Sequence, residues 1–332
     1  MAEVGWIVTY DGQSGGNWVR RQVVDGLSDV HAFENVLIEP GLEPSRLARS
    51  VWDLATYDDP ETDLWVEAGA SLALRAPGRR KPNVLLLHHL PDPEDYRSVA
   101  NVAHALKKAV VLRRLREADR VVVVSDFWRE YLADRGVEDN VTTVYNGLPV
   151  ERFDLDPDAV AAWRERLCDD PATPLVHVGP CAPGKGGHRA YDALSDSDLD
   201  AEFVTTGRKS IDRPVRHVNP SYGEYLEVLA ACDVLVAMST VPEGGGLQVQ
   251  EAMLCGTPVV GSGRGGMRTL LDGGDQVTCR SFADLPAAVE RALAAGDEAG
   301  ARGRAFAEQF TRDRMVEGYR SVFASVLDES SG

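Results

Sequence analysis

The chain has 332 residues, 44% of them hydrophobic and 26% charged, a globular composition that excludes wholesale disorder and predicts two domains. Lys and Arg number 35 against 52 Asp and Glu, and the net charge of −17 repels nucleic-acid phosphates, which excludes general DNA or RNA binding. Only Lys81, Lys107, Lys108, Lys185 and Lys209 are lysines; acid excess with so little lysine predicts a halophilic source, with an ordinary acidic protein from a GC-rich genome as the plainer reading.

In chain order, Val4–Tyr10 reads as a buried strand, Gly12–Gly16 as a glycine-rich loop and Asn17–Leu27 as a helix. No basic, apolar leader opens the chain, and no apolar run approaches the roughly 18 residues of a membrane span, so a cytoplasmic protein is expected. Further short apolar strands follow at Asp63–Glu67, Val84–Leu87, Val121–Ser125 and Val141–Tyr145, separated by helix-length polar sequence. Asn146-Gly147-Leu148-Pro149 and the acidic run Asp154–Asp158 break this rhythm and mark a domain boundary near residue 150. The rhythm restarts with strands at Leu175–Val178, Glu202–Thr205, Val215–Val218, Val234–Ala237 and Pro258–Val260. Helices are expected at Tyr222–Ala231, Leu247–Leu254, about Ala283–Ala294 and Glu298–Leu327, with Gly296-Asp297 between the last two. Strands alternating with helices predict two parallel sheets wrapped by helices, with a ligand at the carboxyl ends of the strands. The five cysteines form no C-x-x-C pair, which argues against a zinc knuckle or a disulfide framework.

The most informative segment is Pro242-Glu243-Gly244-Gly245-Gly246-Leu247-Gln248-Val249-Gln250-Glu251. Two carboxylates eight positions apart flank three glycines at a helix start. Exposed N–H groups and the helix dipole there suit a phosphate, and carboxylates accept from vicinal sugar hydroxyls. An acidic first turn favoured by the dipole alone is the competing reading. In Val178-Gly179-Pro180-Cys181-Ala182-Pro183-Gly184-Lys185-Gly186-Gly187, glycines and one lysine follow a strand, which is diphosphate chemistry. Gly186 after Lys185 breaks the P-loop pattern. His88 and His89 end a strand, and alternation turns only one of them toward a ligand. Gly15 and Gly16 offer either a ligand loop or a tight turn. Gly261–Gly266 satisfies G-x-G-x-x-G but lies late in the chain, and the acid about 20 residues on falls near Asp284 in what reads as a loop entering a helix, which disfavours a dinucleotide site. The run containing Lys107, Lys108, Arg113 and Arg114 is either a patch for an anionic membrane surface or a helix balancing acidic neighbours.

Glu243 to Glu251 resembles the E-x7-E motif of retaining glycosyltransferases of family 4, which have the GT-B fold. Glu251-Ala252-Met253 through Gly256-Thr257-Pro258-Val259-Val260, Ala118-Asp119-Arg120-Val121, Tyr145-Asn146-Gly147-Leu148 with Phe153, and Cys232-Asp233-Val234 resemble further elements of that family in the same order. The resemblance implies two facing Rossmann-like domains with a cleft between them: an acceptor domain at 1–150 and a donor domain at 151–310, with a last helix at about 311–328 packing back on the first. It implies transfer of a sugar from a nucleotide-diphosphate sugar to a glycan, lipid-linked or small-molecule hydroxyl, with no metal or other cofactor. Glu243 is then expected near the donor sugar, Glu251 at the ribose, and Lys185, Gly179 and the Gly244, Gly245, Gly246 and Leu247 backbone at the diphosphate. His88, with His89 second, matches the histidine at the reaction centre, and Gly15 and Gly16 match the acceptor and phosphate loop. Two departures stand out: Pro180 occupies the family's diphosphate arginine position, for which Arg208 is a substitute, and Thr269 replaces an acid. A nucleotide-sugar epimerase of the same architecture and a non-catalytic sugar-nucleotide or glycan-binding homologue remain as alternatives.

Overall fold

The computed structural model describes residues 1–8, 15–37, 49, 52–53, 56–57, 59, 61–69, 72, 82–90, 100–182 and 184–331. The end of the first expected strand, the start of the glycine loop at 12–14, and Pro183 lie outside the described residues. The chain divides into two compact units, Met1–Gly147 with Arg312–Gly332, and Leu148–Thr311.

In the first unit, strands β1 (Ala2–Val8), β2 (His31–Leu37), β3 (Leu64–Ala68), β4 (Asn83–Leu87), β5 (Arg120–Val123) and β6 (Val141–Thr143) form one parallel sheet in the order β2-β1-β3-β4-β5-β6. Described helices are α1 (Gly15–Leu27), α2 (Ala100–Glu117), α3 (Asp126–Ala133) and, from the far end of the chain, α10 (Arg312–Ser331). β4 shows why its sequence is apolar at every position. Val84 and Leu86 pack with Val19, Val23, Tyr319 and Phe323 of α1 and α10, while Leu85 and Leu87 pack with Leu115, Trp128 and Leu132 of α2 and α3. A parallel strand covered on both faces has no polar side.

In the second unit, strands β7 (Leu175–His177), β8 (Glu202–Thr206), β9 (Arg216–Val218), β10 (Val234–Ala237), β11 (Val259–Gly261) and β12 (Val277–Thr278) run parallel in the order β12-β11-β10-β7-β8-β9. Helices α4 (Pro157–Leu167), α5 (Gly187–Ser195), α6 (Tyr222–Ala231), α7 (Leu247–Leu254), α8 (Met267–Gly273) and α9 (Leu285–Ala307) connect and cover them. Strand order reverses between β7 and β10, so the crevice at their carboxyl ends is the switch point where doubly wound sheets hold ligands.

Two expectations shift. The long helix expected from Glu298 to Leu327 is two helices, separated at residues 308–311, while the break expected at Gly296 survives as a kink inside α9 (φ 43, ψ −134). All five cysteines are unpaired, as their spacing predicts. No described helix is long and apolar enough to cross a membrane.

Candidate active site

The loops that leave β7 and β10 flank the switch point of the second unit, and they carry Lys185 and Glu243. Lys185 Nζ lies 2.7 Å from both Glu243 carboxylate oxygens. The Glu243 side chain keeps 14% of its surface exposed and Lys185 37%, so the pair is shielded without being sealed. The buried Ser239 hydroxyl donates to Glu243 Oε1, and Thr240 N donates to Gly184 O at 2.7 Å, tying the acidic loop to the lysine loop.

The third side of the site is the G-x-G-x-x-G segment after β11. Glu243 N donates to Arg264 O (3.2 Å) and Gly266 N donates to Glu243 O (3.0 Å). Gly265 is required by this contact: a Cβ there would sit 2.3 Å from Glu243 O, and its φ is +68°. The segment thus braces the acidic loop through its backbone.

Gly246, in the left-handed conformation, turns the chain into α7. The N–H groups of Gly245, Gly246 and Leu247 donate to no acceptor among the described residues. They sit at the positive end of an eight-residue helix, next to a lysine–glutamate pair. That arrangement offers directed donors to an anion.

Gly179 plays a different part from the one its sequence suggests. Its N–H donates to His177 Nδ1 (3.1 Å) and its carbonyl accepts from Thr205 Oγ1 (2.6 Å), so it offers a ligand no free donor. His177 is fully buried at the end of β7, and its Nε2 pairs with Thr206 Oγ1 at 3.0 Å. With Nδ1 accepting, Nε2 carries the ring proton. Burial pushes the imidazole pKa down to about 4, so this histidine is neutral. A polar residue inside Leu175-Val176-His177-Val178 was the available signal for it.

Glu251 lies one turn inside α7. Ser221 and Glu224 form a capping box that starts α6 at Tyr222, which places Tyr222 and Tyr225 on one helix face. Tyr222 Oη donates to Glu251 Oε1 (2.9 Å) and Tyr225 Oη to Oε2 (3.3 Å). Burial raises the Glu251 pKa to about 7, with the two hydroxyls pulling against that rise. Arg208 is exposed on the loop after β8, at the same sheet edge.

In the first unit, β4 ends at Leu87, and the partly buried His88 lies against the start of α1, while His89 is exposed. A Cβ at Gly16 would stand 3.3 Å from His88 Nε2. Burial, with some help from His89, lowers the His88 pKa to about 4. Gly15 is exposed one residue earlier.

The expected basic patch on α2 needs correction. Arg114 is buried, and its Nη2 pairs with the buried Glu67 Oε2 at 2.9 Å, so it cannot meet a membrane surface. Arg113 is exposed but paired with Glu117 one turn on (2.9 Å), Lys107 is exposed, and Lys108 lies over the Tyr131 ring.

The profile of Glycosyltransferase Family 4 matches residues 42–152, and that of Glycosyl transferases group 1 matches residues 158–295. A D-inositol 3-phosphate glycosyltransferase of Salinispora tropica is 34% identical over 196 residues, which make up 54% of this chain and 37% of that protein. The match thus spans well under half the length of that relative. A GDP-mannose-dependent alpha-(1-6)-phosphatidylinositol monomannoside mannosyltransferase of Mycolicibacterium smegmatis is 31% identical over 272 residues, covering 73% of this chain and 68% of that protein. Among solved structures, Anabaena HepE in complex with UDP and glucose superposes with a TM-score of 0.76 at 19% identity, covering 98% of this chain and 100% of that one. Sucrose-phosphate synthase from Thermosynechococcus elongatus gives 0.79 at 19% identity, with the same coverage. These likenesses show an α/β two-domain GT-B fold.

Proposed function

The chain belongs to the family 4 and group 1 glycosyltransferases, and from that premise we propose that it moves a sugar from a nucleotide-diphosphate donor to an acceptor hydroxyl with retention of the anomeric configuration. The observation that carries this reading is the Lys185–Glu243 pair beside the amides of Gly245, Gly246 and Leu247, which donate to no acceptor among the described residues. A lysine and a helix N-terminus are suited to the charge that builds on a departing diphosphate. They supply the stabilisation a metal ion would otherwise give, so the reading requires none.

The residues then take these roles. Lys185 turns from Glu243 to the diphosphate when donor binds. Glu243, released, accepts from hydroxyls of the donor sugar, with Ser239 holding its carboxylate in place. Glu251 accepts from the vicinal ribose hydroxyls, for which its ionised form is the stronger acceptor. The first unit holds the acceptor, with His88, kept neutral by burial, at its reacting end. The HepE complex contains UDP and glucose, and the mannosyltransferase relative is GDP-mannose-dependent, so uridine and guanosine diphosphate sugars are the first donors to try. The named relatives act on inositol-containing acceptors, which makes a polyol hydroxyl, free or lipid-linked, the first acceptor class.

The test is a panel of nucleotide sugars in molar KCl, read first by thermal shift and then by product analysis with inositol phosphate and glycan acceptors. Transfer that needs Lys185 and Glu243 and retains the anomeric configuration supports the reading. Donor interconversion without acceptor would replace it with an epimerase. Transfer that survives both Lys185→Ala and Glu243→Ala would overturn the site.

A further inference from the structure

A diphosphate is doubly charged, and the second unit meets it with few cations. Pro180, in the loop after β7, has neither charge nor N–H. Lys185 already shares its charge with both oxygens of Glu243. In a chain of net charge −17, one half-neutralised lysine is a weak counter-ion. We propose that Arg264 is the second diphosphate-binding cation of this site, an inference that rests on the transferase reading above.

Three observations carry it. First, Arg264 is anchored at the site by its backbone, since its carbonyl accepts Glu243 N–H and its neighbour Gly265 bridges to Glu243. The two loops meet backbone to backbone there, since a Cβ on Gly265 would lie 2.3 Å from Glu243 O. Second, the Arg264 side chain is exposed and has no ion-pair or hydrogen-bond partner among the described residues. The next arginine in sequence is spent, since Arg268 pairs with Asp272 (3.1 Å). Third, β11 adjoins β10, so the Arg264 loop borders the acidic loop, whereas Arg208 follows β8, two strands away from β10. Arg208, the substitute its sequence position suggests, is also not without a partner of its own. A guanidinium presents two parallel donors to phosphate oxygens, so a single arginine here completes what Lys185 begins.

The experiment compares the wild-type chain with Arg264→Ala, Arg264→Lys and, as a control for net charge, Arg268→Ala. UDP and GDP are titrated calorimetrically at two KCl concentrations, and uridine and guanosine are followed by saturation-transfer NMR. We expect Arg264→Ala to weaken binding of the preferred diphosphate by about 10- to 100-fold and to flatten its salt dependence. Nucleoside binding should stay unchanged, Arg264→Lys should recover part of the loss, and Arg268→Ala should match wild type. Unchanged diphosphate affinity in Arg264→Ala, with wild type binding normally, would overturn the inference alone. A wild-type chain that binds neither diphosphate would overturn the transferase reading and this inference with it.

Discussion

Lys185 Nζ stands 2.7 Å from each oxygen of Glu243, a cation and an anion joined across two loops that are 58 residues apart in sequence. On the proposed transferase reading, each group is held by the other until donor binding separates them. The cost of that separation is moderate, because the lysine is 37% exposed and water screens the pair.

The pair should behave as one unit in kinetics. Lys185→Ala and Glu243→Ala are each expected to lower kcat by about 10²- to 10³-fold, and the double variant by clearly less than the product of the two. Steady-state transfer assays on the three variants measure the coupling directly. Multiplicative losses would show that the two residues act separately.

Glu251 gives the stability profile a signature above acid pH. Its pKa rises from 4.5 in the unfolded chain to about 7 in the folded one, so the folded state holds the extra proton between those values. Stability contributed by the protonated form is therefore lost as pH rises from about 4.5 through about 7. Glu251→Gln keeps an acceptor for the tyrosine hydroxyls but cannot titrate. Urea denaturation across this range should show a stability decline in wild type that the variant lacks.

His177 works in the opposite sense. Its folded pKa of about 4 lies below its ordinary 6.5, so the unfolded chain binds the proton first, and stability is lost as pH falls through that window. His177→Phe should remove this part of the acid sensitivity. The same variant strands the Gly179 N–H and the Thr206 hydroxyl, at a cost of about 1–3 kcal/mol at pH 7. Chemical denaturation at pH 7 and pH 5 separates the two effects, with the variant weaker at the first and less pH-sensitive.

Arg114→Ala should destabilise the first unit by about 3–5 kcal/mol, because it takes the facing guanidinium away from the buried Glu67 carboxylate. Arg113→Ala, on an exposed pair, should stay within about 0.5 kcal/mol of wild type. Urea midpoints of both variants test the contrast. Equal effects would mean that the buried pair contributes no more than the surface one.

Where apolar runs were bounded by turn residues, the elements could be read from the residues with little error. β10 (Val234–Ala237), α6 (Tyr222–Ala231) and α7 (Leu247–Leu254) fall on their expected bounds. β2 and β12 gave no such signal. His31–Leu37 is a half-polar edge strand with one buried position, and Val277–Thr278 is two residues long. The principal candidate residues stood out by type and spacing, since a lysine among glycines and two glutamates around a helix start are chemically conspicuous. Their partners were invisible because tertiary structure alone brings them near. Tyr222 and Tyr225 come from a different helix than Glu251, and His177 acts through a backbone N–H two residues on and a threonine hydroxyl on a neighbouring strand. Arg114 misled for the same reason: a basic run in sequence does not show that one member turns inward to Glu67.

The two glutamates of the helix-start motif answer to separate parts of the fold. Glu243 is set by the β7 and β11 loops, whereas Glu251 is set by the tyrosines of α6. Drift in α6 can therefore retune one end of the motif while the other keeps its geometry, and loop drift can do the reverse. On the proposed reading, the sugar end and the ribose end of the motif can then diverge independently, and recombining α6 with the loops of a relative is the natural way to engineer one preference without the other.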